Sequence, residues 1–125
     1  MHLSALTLIV PDYDEAIAYY CDTMGFALEQ DIEQGEKRWV RVAPKGAQTG
    51  FILAKASSPE QSAAVGNQGA GRVWLFLETD DFTRDHARLA AAGVVFIEKP
   101  RHEPYGTVAV FADKYGNRWD LIEYI

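Results

Sequence analysis

One interval restricts the folding of this 125-residue chain more than any other feature. Asp12 to Gly25 spans 13 residues, and Asp80 to Gly93 spans 13 again. Each pair follows an apolar segment rich in β-formers, Leu3 to Val10 and Arg72 to Thr79, and each is followed by another. Aspartate at the start of such an interval reads as a helix N-cap, and glycine at its end as the left-handed C′ residue that stops a helix. Asp12 with Glu15 has the form of a capping box with an acidic cap. Ala16, Ile17, Tyr20 and Met24 repeat at helical spacing in the first copy, and Leu89, Ala90 and Ala91 continue the helix in the second. A repeated cap, helix length and terminator point to a duplicated unit.

Three strands are expected after the first helix, at Phe26 to Ile32, Arg38 to Val42 and Thr49 to Ala54, with turns at Gln34-Gly35 and Pro44-Lys45-Gly46. Three more are expected after the second, at Val94 to Ile97, Thr107 to Ala112 and Arg118 to Tyr124. The fold class is therefore α+β, with two tandem βαβββ units, residues 1–55 and 72–125, in one domain. Residues 56–71, rich in Ala, Ser, Gln, Gly and Asn, read as a linker with a short helix near Glu60 to Val65, expected to be mobile or ordered by a partner. A βαβββ unit carries its helix on one side of a curved mixed sheet and leaves the other side bare. Two such units, paired, enclose a cavity.

Composition narrows the partners. Hydrophobic residues make up 48% of the chain, enough for a core, and the net charge of −6 disfavours nucleic acid and anionic lipid. No apolar run approaches the ~20 residues of a membrane span. Met1 to Ala5 has no basic n-region, so no signal peptide is expected. Cys21 is the single cysteine and forms no intrachain disulfide; it reads as a half-buried, inert helix residue. A cytoplasmic location is expected. No G-x-S-x-G, Walker, G-x-G-x-x-G or C-x-x-C motif is present, and Gly66 to Gly71 reads as linker.

Several segments carry a resemblance: Val10-Pro11-Asp12, Tyr19-Tyr20, Met24-Gly25-Phe26, Leu77-Glu78-Thr79-Asp80-Asp81, Ala92-Gly93-Val94 and Phe111-Ala112-Asp113-Lys114-Tyr115-Gly116-Asn117. Together they resemble the glyoxalase / bleomycin-resistance / extradiol-dioxygenase (vicinal-oxygen-chelate) superfamily over the whole chain, departing from it at Lys114-Tyr115, where Pro and an acidic residue are usual. The resemblance implies the fold but no single activity, because that fold hosts lyases, dioxygenases, isomerases, thiol transferases and drug-binding proteins. It also implies a homodimer, and a divalent ion held by His or Glu near the starts of the first, fourth, fifth and eighth strands. Carried over one at a time, those positions fall at Ala5, at Phe51 with a residue of slack to Gly50 or Ile52, at Trp74 and at Asp120. Only Asp120 can ligate, so no metal and no cofactor are expected. A displaced site using Asp120 with His102 or Glu103 is the remaining metal reading; an exposed polar loop is the simpler one for those two residues. His86 is expected on a helix surface.

Alternation along the strands assigns faces. Val40, Val42, Val73, Leu75, Leu77, Trp119 and Leu121 are expected to face helices. The cavity then receives an aromatic wall of Trp39, Phe51, Trp74 and Phe76, with Thr7, Arg41 and Asp120 as polar groups and Tyr105, in the loop Pro100 to Gly106, over the mouth. That set suits a planar or apolar organic ligand, or else fills the cavity or a dimer interface. Arg41 and Asp120 are candidates for a buried structural pair. The expected function is metal-free binding of a small aromatic or hydrophobic molecule. The alternatives are a lyase, dioxygenase or isomerase using a displaced metal or Asp120 as general base, and a packed interaction module.

Overall fold

Leu6, Leu8 and Val10 alternate with Ala5, Thr7 and Ile9 along the first strand, and Leu8 and Val10 are fully buried while Thr7 is exposed. That alternation is the period of a sheet covered on one face. The computed structural model describes residues 1–125 and divides into two compact units, Met1–Val65 and Gly66–Ile125. The expected linker is thus shared between them.

The first unit contains β1 (Ala5–Val10), α1 (Tyr13–Ile17) prolonged by a π-helical turn (Ala18–Thr23), β2 (Ala27–Gln34), β3 (Lys37–Ala43), β4 (Gly50–Lys55) and the short α2 (Pro59–Ala64). Its sheet runs β1-β4-β3-β2, with β1 parallel to β4 and the other pairs antiparallel. The second contains β5 (Val73–Glu78), α3 (Phe82–Ala91), β6 (Val95–Phe96), β7 (Arg101–Glu103), β8 (Gly106–Ala112) and β9 (Arg118–Tyr124). Its order, β5-β9-β8-β6 with β5 parallel to β9, repeats the first topology, and β7 is an addition that pairs with β8. The chain is therefore an α+β fold of two tandem βαβββ units with curved sheets. The segment Pro100 to Gly106, expected as a loop, is instead part of a hairpin. No helix is long and apolar enough to cross a membrane.

The helix boundaries correct the repeat by one residue. Asp12 caps α1 by accepting from the Glu15 N–H at 2.9 Å, but the matching cap of α3 is Asp81, which accepts from the Arg84 N–H at 3.0 Å. The interval to the terminating glycine is 13 residues in one helix and 12 in the other. The extra residue is housed in the π-helical turn, where the Met24 N–H reaches back five residues to the Tyr19 carbonyl. Gly25 and Gly93 both end their helices at positive φ, 80° and 99°.

In the first unit Ala16, Tyr20 and Met24 form the buried stripe of the helix, and α1 packs on β3 and β4, where Val40, Val42 and Leu53 are buried. In the second, a run of rings from Phe82 through His86, Phe96 and Phe111 to Trp119 joins α3 to the sheet. His86 therefore does not project from the helix surface. Its ring lies 4.1 Å from Phe96, and its Nε2 is buried without a partner.

The turn from β8 to β9 is built on one carboxylate. Asp113, 5% exposed, accepts with Oδ1 from the backbone N–H groups of Tyr115, Gly116 and Asn117, each at 3.0 Å. Its Oδ2 accepts from Asn117 Nδ2 at 3.1 Å and from Trp119 Nε1 at 3.0 Å. The linker docks on this turn. The Gln68 N–H donates to Asn117 Oδ1, and a Cβ on Gly66 would overlap the Tyr115 carbonyl at 1.6 Å. Residues 66–68 of the linker are thus held by contacts within their own unit. Removing the clasp in Asp113→Ala strands several donors, so urea unfolding should show a loss of at least about 3 kcal/mol; a loss under about 1 kcal/mol would contradict this role.

Candidate functional site

Each sheet has a face its helix does not cover, and register decides what stands there. In the first unit Thr7 pairs with Ile52, and Ile52 with Arg41. Ala5, Thr7, Gly50, Ile52, Ala54, Trp39 and Arg41 share the helix-free face. Phe51 does not. It is 6% exposed and stacks on Phe26 at 6.3 Å and 8°, and Phe26 stacks in turn on Tyr20 of the helix. The expected wall position of Phe51 therefore belongs to Ile52.

Trp39 is 41% exposed, and its Nε1–H donates to Gln30 Oε1 at 2.8 Å, which fixes the indole plane. Arg41 is committed within its own unit. Its Nε–H donates to Glu29 at 2.7 Å and its NH2 to the Gln48 carbonyl at 3.0 Å. It is therefore the partner of Glu29 in place of Asp120. Gly50 makes room for it, since a Cβ there would lie 3.0 Å from the Arg41 Cζ. A cleft of about 550 Å³ opens in this unit, lined by Trp39, Ile52, Ala54, Tyr13, Lys37 and Lys55 among others.

In the second unit Asp120 pairs with Phe76 on one side and Val110 on the other, so all three share the helix-free face, together with Val108 and Ile122. Phe76 is 62% exposed. Trp74 sits at a bulge in β5, half-buried, its Cβ so close to Gly69 that a methyl there would approach to 2.7 Å. Asp120 is 7% exposed, and its Oδ1 is buried with no partner in the chain. Burial pushes its carboxyl above the usual carboxylate range; Arg101 opposes that and Glu98 adds to it.

Around Asp120 the β6–β8 segment places an ion-pair group that the sequence reading missed. Glu98 Oε1 accepts from Arg101 Nε at 3.0 Å and from the Val110 N–H at 3.1 Å, while Arg101 NH1 donates to Glu103 at 2.8 Å. Glu103 is thus occupied. His102 pairs across to Thr107, and its Nδ1 lies 3.3 Å from the Thr107 hydroxyl. Strand alternation puts it on the face opposite Val108 and Asp120, so His102 and Asp120 cannot share an ion. No group of three or more His, Cys, Asp or Glu is arranged to hold a metal. Tyr105 stands half exposed at the β7–β8 turn, its carbonyl accepting from the Ile125 N–H at 3.1 Å. The Cys21 thiol is pushed up, first by burial and then by Asp22.

Asp120 carries a stability consequence. A folded-state pKa above the unfolded value means that ionising the group costs stability, and the cost appears as pH rises through the folded value. Asp120→Asn should therefore melt higher than the parent at neutral pH, with the gap closing as the solution is acidified below the usual carboxylate range. A variant that melts lower at neutral pH would show the carboxylate to be stabilised instead.

The family model described as the Glyoxalase/Bleomycin resistance protein/Dioxygenase superfamily matches residues 2–121. An uncharacterized protein of Shewanella frigidimarina (strain NCIMB 400) is 50% identical over 121 residues, covering 94% of this chain and 90% of that one. Among solved structures, UcmS2 superimposes with a TM-score of 0.85 at 31% identity, covering 98% of this chain and 97% of its own. TnmS3, an antibiotic binding protein from Streptomyces sp. CB03234, gives 0.80 at 32% identity, with 100% and 97% covered.

Proposed function

The chain belongs to the glyoxalase/bleomycin resistance protein/dioxygenase superfamily, and from that premise we propose that it binds a small aromatic or hydrophobic organic molecule without the family's usual metal. The observation that carries the reading is the chemistry of the helix-free faces. Where the resemblance implies metal ligands, Ala5, Ile52 and Trp74 offer no ligating atom, and Asp120 is left as one carboxylate. A single carboxylate does not hold a divalent ion against water. The residues do not fit the ion.

The same faces suit an organic ligand. Trp39 and Phe76 are large, exposed and apolar, and the Trp39 plane is already fixed by Gln30. Beside the first of these faces, a cleft of about 550 Å³ lined by Trp39, Ile52 and Ala54 together with Tyr13 of α1 and Gln61 of α2 is of the size that takes a small molecule. The description of TnmS3 as an antibiotic binding protein supports a binding role. A second reading, in which Asp120 is the general base of an isomerase- or lyase-type reaction, draws on its buried, partly unpartnered carboxyl.

The test is a thermal-shift screen of planar aromatic compounds with chelator present throughout. A ligand at 100 times its Kd stabilises by about 2.7 kcal/mol, a shift of several degrees for a domain of this size. At least one compound should give a saturable shift, and Trp39→Ala should weaken it about 10-fold. A screen without a hit, or shifts that appear only when a divalent ion is added, would reject the proposal. We also propose a homodimer; Leu28 and Ile32, exposed on edge strand β2, supply apolar surface for it. Light scattering should give twice the chain mass, and a monomer at working concentration would reject the dimer.

A further inference from the structure

The second unit contains two buried acids, and it treats them in opposite ways. Asp113 has both oxygens filled by donors from its own turn. Asp120 is more than nine-tenths buried and keeps Oδ1 without a donor. A carboxylate left so is costly unless something else supplies the missing group.

The neighbouring charges do not supply it. Arg101 is the cation near Asp120, but it is bound to Glu98 and to Glu103. Glu98 is held in place by the Val110 N–H, and Val110 is the strand partner of Asp120. Arg118, two residues along β9 on the same face, is exposed to solvent. With Asp120 ionised, three carboxylates face one guanidinium. The group therefore carries a net charge of −2, and Asp120 Oδ1 lacks a hydrogen-bond donor. An organic ammonium supplies the donor and offsets one of those charges. Phe76, the other strand partner of Asp120, adds an exposed ring beside the carboxyl, and an aromatic face next to an anion is a favourable setting for an ammonium and the carbon it carries. The net charge of −6 favours approach of a cation and disfavours an anion.

We infer that Asp120 is the counter-ion for an organic cation: the ligand is a small hydrophobic or aromatic amine whose ammonium N–H donates to Asp120 Oδ1 while its apolar body lies on Phe76. This rests on the binding function proposed above and narrows its ligand class.

Three probes that share an indole ring separate the two ideas: tryptamine, a cation; 3-ethylindole, neutral; and indole-3-propionate, an anion. Each is titrated calorimetrically into the full-length protein. Tryptamine should bind at least about 10-fold more tightly than 3-ethylindole, the scale of one charge-assisted hydrogen bond, and indole-3-propionate should bind most weakly. Asp120→Asn should bring tryptamine down to the affinity of 3-ethylindole. Equal affinity for tryptamine and 3-ethylindole, or tightest binding of indole-3-propionate, would overturn the counter-ion role while leaving the binding function standing. Absence of binding by all three would overturn both. The ranking on the parent protein decides the matter even if the variant does not fold.

Discussion

A sheet has two faces, and in each unit one helix covers one of them. That constraint sorts the residues of this protein. Leu8, Val10, Val40, Val42, Leu53 and Phe51 lie on the helix side of the first sheet, and their burial holds the unit together. Ala5, Thr7, Ile52, Trp39 and Arg41 lie on the other side, where packing against the helix places no demand on them. The second unit repeats the division, with Trp119, Phe111 and Leu121 on the helix side and Phe76, Val110, Asp120 and Ile122 away from it.

Strand β9, with the turn that leads into it, sets a fully satisfied carboxylate and a poorly satisfied one within seven residues of each other on one stretch of chain. Its entry is locked by Asp113, which orders the turn, orients Trp119 and receives the linker through Asn117. Trp119 then points to the core, so Asp120, the next residue, must point the other way. A rigid turn thus delivers a poorly satisfied carboxyl to the helix-free face. The unpartnered oxygen costs stability at Asp120, whereas Asp113 has donors on both of its oxygens.

Much of this was legible in the sequence, because hydrophobic period, caps and terminating glycines are local signals. The paired intervals beginning at Asp12 and near Asp80 identify the duplication, and alternation alone places Trp39, Arg41, Phe76 and Asp120 on the helix-free faces. The structure departs from the sequence pattern where the answer depends on pairing between distant segments. Phe51 lies on the helix side and not on the wall, because a parallel register is not set by a local turn. Counting from the true caps resolves it: Thr7 and Phe76 each lie five residues before Asp12 and Asp81, and their strand partners are Ile52 and Asp120. The β7 hairpin, the Glu98–Arg101–Glu103 group and the packing of His86 on Phe96 are likewise products of contact between distant segments, invisible to period and propensity.

The central claim is that these faces are made for an organic molecule and not for a metal ion. Titration calorimetry of Zn²⁺, Mn²⁺ and Ni²⁺ into chelator-treated, exhaustively dialysed protein tests it most directly. The account predicts no saturable binding at micromolar metal and no change in melting temperature. One ion bound per chain with micromolar affinity, and lost in Asp120→Asn, would contradict it.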